Sequence, residues 1–184
     1  MLQYKIIIFI VVSAGILWLS RNSLRNFRSH GFYRFFAWEA ILIIIILNFR
    51  HWFENPLSIN QLISWFLLIA CTVLVIVGTR LLITIGKPNS NRDDPTLYGI
   101  EKTTKLVTVG AYRYIRHPIY SSLLFLTWGA FFKHISIITI CLALIATLFL
   151  FITAKFEESE NIKFFGDDYR EYMKRTKMFV PYLF

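Results

Sequence analysis

The sequence predicts an all-α integral membrane protein with five transmembrane helices. Hydrophobic residues make up 56% of its 184 residues, and 18 of them are phenylalanine, which is too apolar for a small soluble domain. The charged residues gather between long uncharged runs, and roughly 20 apolar residues are enough to cross a bilayer core. We therefore treat residues 1–184 as a single membrane-embedded domain. The predicted spans are about 4–20, 34–50, 57–85, 118–132 and 135–154.

Three apolar runs define the first three spans. Ile6 to Ser20 and Leu57 to Thr79 carry no charge, and Phe35 to Phe49 is interrupted only by Glu39. Glu39 and Arg80 each lie about five residues inside the predicted cytosolic end of a helix. Ionisable residues within membrane spans are paired or functional by default. Two interpretations stay open for this pair: structural pairing or snorkelling, and lining of the inner mouth of a substrate cavity.

A tight helical hairpin is predicted for the fourth and fifth spans. The uncharged run from Ile119 to Phe132 is followed almost at once by the run from Ile135 to Ala154. Lys133 and His134 mark the outer turn between them. Helices joined by so short a connection pack antiparallel to each other.

Basic residues predict the orientation of the chain, because loops that face the cytoplasm carry an excess of lysine and arginine. Basic residues are concentrated between the first and second spans and between the third and fourth. They are Arg21, Arg25, Arg28, Arg34, Lys87, Arg92, Lys102, Lys105, Arg113 and Arg116. We therefore expect the N-terminus outside and the C-terminus in the cytosol. This topology accounts for the formal charge of +9 without a nucleic-acid partner.

The charged tail, 155–184, is predicted to be helical and cytosolic. Gly166 interrupts it as a natural helix stop, and the stretch DDYREYMKR begins directly afterwards. In this stretch Tyr169, Tyr172 and Met173 fall on one helix face, which is suited to lie on the membrane surface or over a pocket. The apolar end, MFVPYLF, is expected to dock back onto the helices.

The cytosolic loop 86–117 ends in the motif YIRHPIYS, at the start of the fourth span. Pro118 disfavours helical geometry in the residue before it and fits the first turn of a helix, so His117 is expected at a helix N-terminus. Free backbone amides and the helix dipole favour an anionic group at that position. With Arg116 and Tyr120 nearby, the motif indicates a site for a carboxylate or phosphate. The residues alone leave open a basic flank with an incidental histidine.

An ordered set of motifs occupies the C-terminal half, in the segments KLVTVGAYRYIRHPIY and EESENIKFFGDDYREYMKRTKMFVP. They contain a leucine-valine-x-x-Gly-x-Tyr stretch, an Arg-His-Pro-x-Tyr motif, a Glu-Glu pair, and a Phe-Gly-x-x-Tyr-x-x-Tyr tail that ends in a proline. In this order and with a hairpin between them, they resemble the isoprenylcysteine carboxyl methyltransferase family and its phospholipid methyltransferase relatives. The resemblance spans Lys105 to Pro181.

This resemblance implies a cytosol-facing pocket for S-adenosylmethionine, roofed by the loop and the tail and joined to a lipid-open cavity. By position, seven residues would bind the cofactor, with three lining the pocket, three holding the amino-acid end and one accepting hydrogen bonds. They are Leu106, Val107 and Tyr112, then His117, Pro118 and Tyr120, and finally Glu157. Glu158 points about 100° away from Glu157 on a helix and is less suited to this role. Arg116 joins Glu39 and Arg80 as a candidate for the substrate cavity.

The implied reaction is methyl transfer to a lipophilic or lipidated acceptor at the cytosolic membrane face, with carboxyl O-methylation of a prenylcysteine-like substrate favoured. A carboxylate acceptor needs no general base, and the sequence offers no obvious base except His117. The chain departs from the family where Thr153 replaces a substrate-contacting arginine, with Lys155 as the nearest cation. It departs again at Asn161, where a leucine is usual. The alternatives are a phospholipid amine N-methyltransferase and a non-catalytic membrane protein that keeps the pocket.

Other kinds of chemistry find little support in the sequence. It has no GxGxxG motif, and its polar segments are too short for a doubly wound cofactor domain. The four histidines do not have the spacing of metal ligands, so no metal site is predicted. Cys71 and Cys141 lie mid-span and are expected to be packing residues.

Overall fold

The computed structural model describes residues 2–89 and 97–182, and this part of the chain contains helices and no strand. Arg92, one of the residues that predict the orientation, lies outside the described residues. Six α-helices are present in the described ranges. They are α1 (Leu2–Ser20), α2 (His30–Asn48), α3 (Ile59–Thr84), α4 (Pro118–Phe131), α5 (Ile137–Phe165) and α6 (Asp167–Arg175).

Four helices of the described chain are long and apolar enough to cross a bilayer, namely α1, α2, α3 and α5. The predicted fourth span corresponds to α4, which has 14 residues. At 1.5 Å per residue this helix is about 21 Å long, against roughly 30 Å for a hydrocarbon core. An all-helical, multi-pass chain is therefore confirmed, whereas the count of five crossings stays a prediction.

Successive long helices run in alternating directions, with α2 packed on α5 and α3 packed on α4. At one end of the bundle, the Asn48 side-chain amide at the end of α2 donates to the Ala130 carbonyl at 2.8 Å. Ser64, near the start of α3, donates to the Gly129 carbonyl at 2.7 Å. We call this the hairpin end, because α4 and α5 are joined there. The N-terminus of α4 and the C-terminal part of α5 lie at the other end.

The core beside the start of α4 is closed by the C-terminal segment. Met178 and Phe179 are buried against Ala37, Tyr120 and Leu150, which come from α2, α4 and α5. The expectation that the apolar end of the tail docks onto the helices is thus confirmed for these two residues. Docking removes two large apolar side chains from water and fixes the backbone that follows α6.

Helix α5 extends further than its predicted span. Ser136 caps its start, since the Ser136 hydroxyl accepts from the Thr139 amide at 3.2 Å. The helix then runs through 29 residues, about 43 Å, because no proline or glycine interrupts it before Gly166. Gly166 ends it with φ of +62°, as expected for a glycine stop. The first part of the predicted tail therefore continues the fifth span, and its charged residues project beyond the apolar part.

Candidate functional site

A partly open cleft lies at the end of the bundle opposite the hairpin. Loop residues 97–117, the N-terminus of α4, the charged part of α5 and α6 surround it. Six of the seven residues predicted to bind the cofactor line this cleft. They are Leu106, Val107, Tyr112, His117, Tyr120 and Glu157.

His117 is held at the entrance to α4 by its backbone. Its amide donates to the Met178 carbonyl at 3.2 Å, and the neighbouring Arg116 amide donates to the Lys177 carbonyl at 2.8 Å. Residues 114–117 and 176–178 therefore pair side by side. Pro118 occupies the first turn of α4, as predicted; it is not among the residues that line the cleft, and it sets the start of the helix.

The buried polar atoms of the His117–Tyr120 pair point to a ligand. The two rings stack with centroids 5.5 Å apart and an interplanar angle of 20°. His117 Nε2 and Tyr120 Oη are both buried, and neither has a hydrogen bond within residues 2–89 and 97–182; Glu158 Oε1 lies 3.6 Å from His117 Nε2. Leaving such atoms without a partner is costly, so a bound polar molecule would satisfy them.

The two neighbouring glutamates on α5 have different surroundings. Glu157 lines the cleft, with Oε1 3.8 Å from His117 Nδ1 and 3.5 Å from the Asn161 side-chain amide. Glu158 is 3% exposed and accepts from Arg116 Nε at 2.7 Å and from Lys155 Nζ at 3.1 Å. The glutamate predicted to face the cofactor is thus the one that lines the cleft, while its neighbour is tied up in ion pairs.

The three residues predicted for a substrate cavity are not brought together. Arg116 lines the cleft, but its guanidinium is engaged by Glu158 and by backbone carbonyls after α6. Glu39 accepts from the Ser13 hydroxyl of α1, at 2.9 and 3.0 Å. Arg80 is exposed on α3. Glu39 and Arg80 do not line the cleft, and their part in a substrate cavity stays a prediction.

Aromatic residues of α6 roof the cleft. Tyr169 and Tyr172 are 3% and 2% exposed, and the Tyr172 hydroxyl donates to the Tyr112 carbonyl at 2.6 Å. The aromatic face predicted for this helix therefore lies over a pocket. Burial raises the pKa of Tyr112, Tyr169 and Tyr172, and the charge of Glu157 raises the pKa of the first two further. Their hydroxyls stay protonated at neutral pH and cannot act as bases.

A buried charge cluster beside the cleft was not predicted from the sequence. Glu101, in the loop, pairs with Arg34 of α2 and lies 3.4 Å from His30 Nε2. His30 in turn lies 2.6 Å from Glu160 of α5 through Nδ1. Burial disfavours the charged form of Glu101, but Arg34 and His30 hold its pKa at about 2. Glu101 also lines the cleft, so the cluster ties one wall of the site to two helices.

Sequence reasoning could have found this cluster only in part. Glu101 stands out as an acidic residue in a mainly basic loop, but its separation from Arg34 is 67 residues. In the sequence, Arg34 belongs to the basic residues that indicate the topology, and His30 belongs to a scattered set of histidines. No periodicity links positions so far apart on different elements.

The fold and the cleft together define a membrane protein that can hold a small polar molecule at one end of an apolar bundle. A model of the phospholipid methyltransferase family matches residues 66–168. This range covers more than half of the chain and includes α4, most of α5 and the loop before them. The chain belongs to the phospholipid methyltransferase family, a family of membrane methyltransferases, and the resemblance seen in the sequence is confirmed at this level.

Curated relatives include three methanethiol S-methyltransferases. One from Bradyrhizobium diazoefficiens is 32% identical over 74 residues, covering 39% of this chain and 24% of that protein. One from Pseudomonas deceptionensis is 31% identical over 72 residues, covering 39% of this chain and 27% of that protein. A third, from Crocosphaera subtropica, is 24% identical over 161 residues, covering 81% of this chain and 55% of that protein. The chain thus spans about a quarter to about half of these relatives. No solved structure matches it.

Proposed function

We propose that this chain is an S-adenosylmethionine-dependent methyltransferase that acts on an acceptor reaching the cleft from the membrane. The observation that carries the proposal is the buried pair of His117 Nε2 and Tyr120 Oη, which have no hydrogen bond within the described residues, in a cleft that Glu157 also lines. Membership of the phospholipid methyltransferase family supports it.

The residues of the cleft fit this cofactor. His117 and Tyr120 would hold its amino-acid end, Glu157 would accept hydrogen bonds from it, and Leu106, Val107 and Tyr112 would line its apolar surface. When bound, S-adenosylmethionine supplies a methyl group already activated on a sulfonium centre. The chain therefore has to orient the acceptor in line with that methyl group and exclude water, for which the buried aromatic roof is suited.

The acceptor we favour is an acidic group that ionises without help from the protein. The tyrosines stay protonated, His117 and Glu157 are assigned to the cofactor, and Glu101 is paired with Arg34, so this assignment leaves no lining residue free to act as a base. A carboxylate on a prenylcysteine-like molecule satisfies this condition. A thiol satisfies it in part, because with an ordinary pKa of about 8.5 only a few per cent is thiolate at pH 7. The names of the three methanethiol S-methyltransferases favour this acceptor.

Two alternatives remain. The family description favours a phospholipid amine, which would have to reach the cleft unprotonated. Thr153 argues against the substrate site of the prenylcysteine enzymes, because it stands where those enzymes have a substrate-contacting arginine. Its side chain is buried, and its hydroxyl donates to the Phe149 carbonyl at 2.7 Å. A membrane protein that binds the cofactor without turnover is the remaining alternative.

We further infer five crossings, with the N-terminus outside and the cleft in the cytosol. The basic residues that precede α2 and α4 support this orientation. The contacts at the hairpin end also support five crossings. There the C-terminal ends of α2 and α4 meet the start of α3, so α4 points in the same direction as α2. Membrane lipids would surround the bundle in this arrangement.

Calorimetric titration of the detergent-purified protein with S-adenosylhomocysteine tests the proposal. We expect saturable binding that His117→Ala abolishes without unfolding the protein. His134→Ala is the matched control, because His134 stacks on His51 at the hairpin end, far from the cleft. No binding to the folded native protein would overturn the proposal. Mass analysis of methylated products from carboxylate, thiol and amine acceptors then separates the three reactions, and binding without any product favours the non-catalytic alternative.

A further inference from the structure

The cleft contains a second carboxylate, Glu101, in addition to the one predicted from the motif. Glu101 comes from the loop before α4, whereas Glu157 comes from α5, and both residues line the cleft. The Glu101 side chain is 19% exposed, and that of Glu157 is 27% exposed. Two carboxylates from different elements thus share one small-molecule site.

Glu101 keeps unused acceptor capacity despite its contacts. An ionised carboxylate offers about four acceptor positions. Arg34 takes one position on Oε1, and the Tyr98 amide takes one on Oε2 at 3.0 Å. His30 Nε2 lies 3.4 Å from Oε2. At least one position on Oε1 is therefore left for a donor that enters the cleft.

The structure also holds Glu101 rigid and ionised. The Arg34 guanidinium lies over the Tyr98 and Trp38 rings, with its central carbon 4.3 and 5.1 Å from their centroids. The Tyr98 amide binds Glu101 directly. A carboxylate fixed in this way loses little conformational freedom when it binds a ligand.

Glu157 lacks a lysine or arginine partner among the described residues. The ion contact found for it is with His117, whose Nδ1 lies 3.8 Å from Glu157 Oε1. Tyr120, whose buried hydroxyl has no hydrogen bond within the described residues, lines the cleft together with both carboxylates. The two carboxylates and the Tyr120 hydroxyl therefore belong to one cleft.

We propose that Glu101 is a further ligand-binding residue of this cleft and that, together with Glu157 and Tyr120 Oη, it binds a primary ammonium group. An ammonium has three N–H donors, and these residues offer three acceptors. The ligand group is the α-ammonium of S-adenosylmethionine, so this inference rests on the proposed function. His30 and Arg34 are positioning residues, which act on the ligand through Glu101.

A cycle of one protein change and one ligand change tests the assignment. The affinities of native protein and Glu101→Gln are measured by titration for S-adenosylhomocysteine and for its analogue with hydrogen in place of the α-amino group. We expect Glu101→Gln to weaken binding of the amino compound by at least about tenfold, the factor for a hydrogen bond to a charged group. Binding of the deaminated analogue should change by less than about twofold.

Glu160→Gln is the matched control, because Glu160 belongs to the same charge cluster and does not line the cleft. It should affect both compounds equally. An equal loss for both compounds in Glu101→Gln would reduce Glu101 to a structural support and overturn the inference. A native protein that binds both compounds equally well would also overturn it. Failure of the native protein to bind S-adenosylhomocysteine would instead contradict the proposed function itself.

Discussion

Arg116 and Glu158 form a buried ion pair that joins the loop before α4 to α5. Arg116 Nε lies 2.7 Å from Glu158 Oε1, and the two side chains are 10% and 4% exposed. The same guanidinium donates to the carbonyls of Met173 and Thr176, at the end of α6. One side chain therefore holds together three of the elements that surround the cleft.

Arg116→Met should destabilise the protein by about 3–5 kcal/mol, because it leaves the buried Glu158 carboxylate without its main partner. Thermal or denaturant unfolding in detergent measures the loss. The double variant Arg116→Met with Glu158→Gln should regain a large part of it, since no unpaired charge is then buried. A single variant as stable as the native protein would show that Lys155 alone compensates the carboxylate.

Glu157→Gln should weaken binding of S-adenosylhomocysteine by about 1.5–3 kcal/mol, the range for a hydrogen bond to a charged group. The substitution keeps the size of the side chain, so unfolding should change little. Asp167→Asn, whose carboxylate is 89% exposed on α6, is the control and should bind as the native protein does. An affinity loss below about 0.5 kcal/mol would mean that the Glu157 charge does not contact the ligand.

Gly110→Ala should lower the unfolding midpoint and weaken ligand binding. Gly110 has φ of +61°, where a side chain costs about 1–2 kcal/mol, and an added Cβ would lie 2.7 Å from Leu81 Cδ1. The strain would displace the turn that carries Tyr112 into the cleft. Gly99→Ala is the matched control, because its Cβ meets nothing within 4 Å. Equal midpoints for the two variants would contradict the prediction.

The contribution of Glu101 to stability should depend on pH. Arg34 and His30 hold its pKa at about 2 in the folded chain, below the usual 4.5, in spite of burial. A depressed pKa stabilises the fold above the unfolded value, and this contribution is lost as the pH falls towards the folded value. The stability gap between native protein and Glu101→Gln should therefore narrow from about pH 5 to about pH 3. A gap that stays constant over this range would show that the Glu101 charge does not stabilise the fold.

Most of the long helices could be predicted from the sequence, because a segment that spans a bilayer is a long run without charged residues. The predicted spans at 4–20 and 57–85 correspond closely to α1 and α3. The start of α4 at Pro118 and the break at Gly166 were predicted from backbone restrictions specific to proline and glycine. The motif also predicted that His117, Tyr120 and Glu157 would share a site, and the structure places all three in one cleft.

The sequence did not predict the contacts between polar residues that are far apart along the chain. His30, Arg34 and Glu101 meet only after α2 and the loop have packed, and the intervening sequence contains no spacing that encodes the contact. The continuous course of α5 was missed for a different reason. Residues 155–165 are rich in charge, and the sequence therefore indicates a tail there. Charged residues do not interrupt a helix outside the bilayer, so α5 continues to Phe165.

The pairing of residues 176–178 with 114–117 has a consequence for biosynthesis. The helices up to α5 can insert as they are made, but His117 acquires its backbone partner only after Met178 has emerged from the ribosome. The cleft thus matures after membrane insertion, when the segment behind α6 folds back. A chain arrested between α5 and this segment would contain all the long apolar helices and yet lack the pairing that fixes His117.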